Sequence, residues 1–128
     1  MTKRKPDKHI PLFDLKLSAE AKRRVNQVLK SGWLTTGSVA TEFEEQVSQL
    51  LNTPYAVATN SASTGLKAVL MAMDIGPGME VITTPFTFVA TIEAILSTGA
   101  RPILADIDPA TLNIDADEIE RKITDRTA

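Results

Sequence analysis

Residues 55–66 read Tyr55-Ala56-Val57-Ala58-Thr59-Asn60-Ser61-Ala62-Ser63-Thr64-Gly65-Leu66. A short apolar run bounded by turn formers predicts a buried strand over residues 55–59. Small and hydroxylated residues follow it. Leu66, Val69, Leu70 and Met73 then recur at helical spacing, which predicts a helix with that face toward a core. Strand, turn and helix in this order open a parallel α/β arrangement.

Reading downstream extends the pattern. Gly76-Pro77-Gly78 breaks the helix, Val81-Ile82-Thr83 predicts a second strand, and Thr84-Pro85 ends it. A helix is expected from about Thr87 to Ser97, with Val89, Ile92 and Ile95 or Leu96 inward and Gly99 as its stop. Residues 102–106 predict a third strand, and Asp108-Pro109 turns the chain. Asp115 can cap a last helix carrying Ile119 and Ile123, and Glu118 has the spacing of a capping box. The expected fold class is α/β, with β-α-β-α-β-α from Tyr55 onward and a parallel sheet built by right-handed crossovers.

Reading upstream adds two helices outside that sheet. Ser18 is a good N-cap, and Ala21, Val25, Val28 and Leu29 share one helical face before Gly32 stops the run. Ser38 can cap the next helix, with Val39, Phe43, Val47 and Leu51 at four-residue spacing and Glu42, Glu44 and Glu45 toward its positive end. Gly32-Trp33-Leu34-Thr35-Thr36-Gly37 joins them as a loop. Residues 1–17 read as a tail, basic at Lys3, Arg4, Lys5 and Lys8, and residues 18–128 as one domain.

Composition bounds the function. The chain has 128 residues, 43% of them hydrophobic and 23% charged, which suits a folded core rather than disorder. Net charge is -2, so nothing marks a polyanion-binding domain, and no nucleic-acid partner is expected. Without cysteine there is no disulfide, thiolate zinc site or thiol nucleophile. The single histidine, His9, rules out a multi-histidine metal site within one chain. No apolar run reaches the length of a membrane span, and no apolar stretch backs the positive start as in a signal peptide. A cytoplasmic, soluble chain is the expectation.

Several segments could carry chemistry. Residues 60–64 would begin a helix beyond a strand's carboxyl end, where small residues, free N–H groups and the helix dipole favour phosphate. The plain alternative is a Ser/Thr-rich N-cap with nothing bound. Neither a Walker A motif nor GxGxxG is present, which weakens a Rossmann-type reductase reading. Phe86 and Phe88 could stack on a planar ligand or fill a core. Trp33 could face a substrate, form an interface or pack on its own domain. Asp106 and Asp108 could bind a cation, but a turn rich in Asp and Pro accounts for them as well. Lys67 is expected to point away from the core.

Taken together these segments resemble the N-terminal part of the DegT/DnrJ/StrS sugar aminotransferases, pyridoxal-phosphate enzymes of the aspartate-aminotransferase fold. Ile10-Pro11-Leu12-Phe13-Asp14-Leu15 is similar to the family's opening, and Ser31-Gly32-Trp33-Leu34-Thr35-Thr36-Gly37 to its active-site loop. Ala58-Thr59-Asn60-Ser61-Ala62-Ser63-Thr64-Gly65-Leu66 resembles its phosphate-binding turn. The stretches at 75–82, 85–91, 105–109 and 112–115 follow in the family's order.

The resemblance implies pyridoxal 5'-phosphate as cofactor. Its phosphate would be held by the N–H groups of Ser63 and Thr64 with a hydroxyl from one of them, and Phe88 would stack on its ring. Trp33, Leu34 and Thr35, with Thr36, would line the substrate side near a site shared within a homodimer. The implied substrates are a nucleotide-linked keto sugar and an amino-acid donor. The family's cofactor-binding lysine, and the aspartate that pairs with the pyridine nitrogen, lie further along than these residues. A 128-residue chain is therefore expected to be inactive alone and to form part of a larger domain with an exposed sheet edge. Two alternatives remain at this point: a sugar dehydratase of the same family, or a truncated module that binds a phosphorylated ligand or a partner chain.

Overall fold

The computed structural model describes Pro11 and residues 13–128; the basic cluster and His9 lie outside the described residues. The chain divides into two compact units, one through Val57 and one over Ala58–Ala128.

The first unit holds two helices, α1 (Ala19–Ser31) and α2 (Ser38–Leu51). The Ser18 hydroxyl accepts the Ala21 N–H at 3.0 Å and so caps α1. Gly32 closes it in the left-handed conformation, φ 71°, where a side chain is strained. Glu20 accepts from Arg23 and Arg24 along the exposed face. Glu42 accepts from Arg24 across to α2, at 3.4 Å. The second helix departs slightly from expectation. Gly37, not Ser38, is its N-cap, and its first turn holds no acid. The Gly37 carbonyl takes the N–H groups of Ala40 and Thr41. Ala21, Val28 and Val47 are half-buried, whereas Val25, Leu29, Val39, Phe43 and Leu51 are exposed.

The second unit carries helix α3 (Ala62–Ala72), strand β1 (Glu80–Thr83), helix α4 (Ala90–Ser97), strand β2 (Arg101–Leu104) and helix α5 (Ala116–Lys122). The strands pair in parallel, Glu80 opposite Arg101 through Thr83 opposite Leu104. Connecting them through α4 follows from parallel pairing, which needs a long crossover. On the other edge of β1 a parallel bridge joins Glu80 to Thr127.

The expected strand over residues 55–59 is not formed. A strand exists through its ladder, and this segment lies extended with Tyr55 85% and Val57 81% exposed. The order in the second unit is therefore α-β-α-β-α, and the β-α-β-α-β-α order is corrected by one strand. The outer strands also shift: β2 begins at Arg101 and ends before Asp106, with Ala105 continuing the ladder through its N–H to the Thr83 carbonyl at 2.8 Å.

The core is small. Ile75, Ile95 and Ala100 cluster, with Leu70 and Val81 packed against them. Ile95 is 2% exposed, so it, rather than the exposed Leu96, is the inward residue of α4. On α3 only Leu70 reaches this cluster; Leu66, Val69 and Met73 are exposed, against the expected inward face. Gly99 sits at φ 84°, and a Cβ there would stand 3.0 Å from Pro77 Cγ, so the turn between α4 and β2 requires glycine on both counts.

Glu80 is the one buried acid among the described residues. A buried carboxylate needs partners for each oxygen. Thr124 Oγ1 donates to one at 2.7 Å, and Arg126 donates to the other through Nη2 at 2.7 Å and Nε at 3.1 Å. Arg101 stands at 3.7 Å. The Thr124 hydrogen bond first, and then Arg126, hold the Glu80 carboxyl below its ordinary pKa against the opposing effect of burial. A group lowered in the folded state adds stability above its unfolded pKa and loses it as pH falls through the folded one. Unfolding midpoints in urea should thus stay level near neutral pH and drop below about pH 4. Glu80→Gln should lower the neutral-pH midpoint and flatten part of the acid limb; a variant curve parallel to wild type refutes this linkage.

Candidate functional site

The first turn of α3 is built by its own sequence. Ser61, extended at φ -159°, caps the helix by accepting the Thr64 N–H at 3.2 Å. Its hydroxyl also shares a hydrogen bond with Thr64 Oγ1 at 3.0 Å. Gly65 N–H goes to the Ser61 carbonyl, and Thr59 Oγ1 donates to that same carbonyl at 2.9 Å. A Cβ on Gly65 would press against Thr59 Oγ1 at 3.3 Å, so glycine lets the preceding segment lie close.

The N–H groups of Ala62 and Ser63, and the Ser63 hydroxyl, make no hydrogen bond among the described residues. They are exposed at the positive end of an eleven-residue helix. Ser63 thus stands in the first turn of α3 with its donors unengaged among the described residues. Thr64 differs in one respect: its N–H and hydroxyl are both engaged by Ser61, a local partner that spacing alone did not reveal. Ser61 carries the cap that the reading of residues 60–64 as a Ser/Thr-rich N-cap left without a named residue.

Beyond β1 the chain turns through residues 84–88. Phe86 N–H goes to Thr84 Oγ1 at 3.1 Å, and the Phe88 carbonyl accepts the Thr91 N–H at 3.1 Å as α4 begins. Phe88 is 78% exposed, so its ring is not a core residue of this unit. The α3 turn and Phe88 both lie in the second unit, whose helices α3 and α4 pack together. Because β1 and β2 are parallel, residues 84–88 and 105–109 leave the sheet at the same end, that of the strand carboxyl termini.

The acids at that end form turns. Asp106 Oδ1 accepts the Ile107 N–H at 2.8 Å. Asp108 Oδ1 accepts from Ala110 at 2.6 Å and Thr111 at 3.3 Å. No group of acids and histidines suited to a metal ion occurs among the described residues. Asp115 caps α5 by accepting from Asp117 and Glu118. Glu118 does not complete a box and pairs with Arg121 and Lys122 instead. Lys67 is exposed on α3.

Trp33, Leu34 and Thr35 belong to the first unit. The Trp33 indole folds back on its own loop and donates through Nε1 to the Thr36 carbonyl at 3.0 Å. A Cβ on Gly37 would stand 2.5 Å from Nε1, so the indole lies directly on that glycine. Leu34 and Thr35 are exposed at the crest of the loop.

Residues 16–128 match the DegT/DnrJ/EryC1/StrS aminotransferase family. The spore coat polysaccharide biosynthesis protein SpsC of Bacillus subtilis (strain 168) is 43% identical over 111 residues, covering 87% of this chain and 28% of that protein. Spr1654 of Streptococcus pneumoniae, assigned as a sugar aminotransferase and solved in PLP, PMP and apo forms, superposes with a TM-score of 0.86 at 36% identity. That match covers 92% of this chain and 30% of Spr1654. NtdA of Bacillus subtilis, solved with bound cofactor PMP, gives 0.78 at 38% identity over 83% of this chain and 24% of its own. The chain thus spans less than a third of the length of these relatives. With matched residues running from Lys16 to the last one described, the chain belongs to the DegT/DnrJ/EryC1/StrS aminotransferase family.

Proposed function

We propose that this chain supplies the cofactor-binding and substrate-lining N-terminal segment of a pyridoxal-phosphate-dependent aminotransferase acting on nucleotide-linked keto sugars. The observation that carries the reading is the α3 turn. Two N–H groups and the Ser63 hydroxyl stand without partners at a helix N-terminus, within a segment matched to that family. Those donors fit a phosphate. The exposed ring of Phe88 fits a planar heterocycle.

When bound, pyridoxal phosphate supplies the electron sink for moving an amino group between donor and acceptor. This chain's residues bind and orient. Ser63 would hold the phosphate through its N–H and hydroxyl, Thr64 would add its own N–H and hydroxyl where Ser61 releases them, and Phe88 would stack on the ring. Trp33, Leu34 and Thr35 belong to the sugar side, in a homodimer where one site draws on both subunits. The amino-acid donor is the second substrate, and the assembled enzyme works in the cytoplasm. Among the described residues no helix is long and apolar enough to cross a membrane.

Titration of the chain with pyridoxal 5'-phosphate, followed by its absorbance, tests the reading. Saturable binding is expected, with inorganic phosphate competing. Ser63→Ala should weaken it by about 10-fold or more, the scale of one hydrogen bond to a charged group, and Phe88→Ala on the order of 3–10-fold, the scale of one aromatic stack. Binding that neither substitution changes refutes the assignment. Ser61→Ala should cost α3 about 1 kcal/mol of stability through loss of its cap, read as faster amide exchange in residues 64–68; unchanged exchange refutes the capping role.

A further inference from the structure

The loop between α1 and α2 is fixed at both ends and bare at its crest. At its start the Ser31 hydroxyl donates to the Val28 carbonyl at 2.7 Å and accepts the Trp33 N–H at 3.2 Å. At its end the Gly37 carbonyl caps α2. Between these anchors the Trp33 indole spans the loop, its ring against Gly37 and its N–H on the Thr36 carbonyl. Leu34 and Thr35 make no hydrogen bond among the described residues.

Gly37 decides how that bridge works. Its φ of -166° is ordinary extended backbone, open to any residue. What glycine supplies there is space: a methyl group would meet Nε1 at 2.5 Å and Cδ1 at 2.7 Å, so the indole would have to leave its seat. The Trp33 N–H, the one polar group of the indole, is already spent inside the loop. A tryptophan in direct polar contact with a substrate would need that donor free.

We infer that Trp33 is a positioning residue and not a hydrogen-bond donor to substrate: braced on Gly37 and the Thr36 carbonyl, its 64% exposed indole holds Leu34 and Thr35 in the shape that meets the sugar. The inference rests on the proposed substrate side of this loop and changes the role of one of its members. It also couples loop and helix, because the residue that seats the indole is the residue whose carbonyl caps α2.

The chain contains one tryptophan, so a single indole N–H resonance reports on the brace. In wild type that proton should exchange slowly and stay in place when UDP-N-acetylglucosamine is added, while the Leu34 and Thr35 amides shift. Gly37→Ala should release it to fast exchange and move both crest amides. Trp33→Phe keeps a ring over Gly37 but removes the donor, and should weaken nucleotide-sugar binding several-fold. It also keeps the test decisive if Gly37→Ala fails to fold. The inference is overturned if Gly37→Ala leaves the indole and crest resonances unmoved, if Trp33→Phe binds the nucleotide sugar as wild type does, or if the indole proton shifts more than the crest on titration. A wild-type spectrum insensitive to the nucleotide sugar at every residue counts against the proposed function, and the Gly37→Ala spectra then decide the brace.

Discussion

The carboxylate of Glu80 holds the second unit together. It enters β1 buried at the edge where the chain returns, and each oxygen is claimed by a residue more than forty positions away, Thr124 on one and Arg126 on the other. The backbone repeats the tie, because Glu80 N–H goes to the Arg126 carbonyl and the Ala128 N–H to the Glu80 carbonyl. Arg101 at the head of β2 adds charge from the opposite side. Most other side-chain hydrogen bonds join residues within four positions and shape only their own turn. With an apolar cluster as small as Ile75, Ile95 and Ala100, tertiary order rests heavily on this one acid.

What the sequence made legible was local. Ser18, Gly32 and Asp115 cap the helices they were expected to cap, because a cap needs only a side chain and an N–H two or three residues on. The strand at 55–59 failed for the opposite reason. Its apolar pattern is strand-like, but pairing depends on a neighbour that periodicity cannot supply. The same limit explains α3, where Leu66 and Val69 keep a helical stripe that stays outside the buried cluster. Glu80 was invisible as a buried residue. Its partners Thr124 and Arg126 sit in a turn closed by the Thr127 N–H on the Thr124 carbonyl, a geometry that the letters do not announce.

The candidate site shows the same division. Residues 60–64, Phe86 and Phe88 were legible as places where chemistry could sit, and the resemblance alone singled out Ser63 and Phe88. The commitments of Thr64 to Ser61 and of Trp33 to Gly37 were not, because both are contacts within a few residues whose geometry the letters do not fix. Each changes a role. One makes a donor conditional on releasing its cap. The other turns an aromatic from a donor to the ligand into support for its neighbours.

The two neighbours of β1 differ in sequence distance. Glu80 meets Arg101 on one side and Thr127 on the other, the second span roughly twice the first. Closing the longer loop costs about 0.6 kcal/mol more in chain entropy. The crossover through α4 is therefore the easier step. The far flank closes the longer loop, so the tie of this unit's buried acid to Thr124 and Arg126 carries the larger entropy cost.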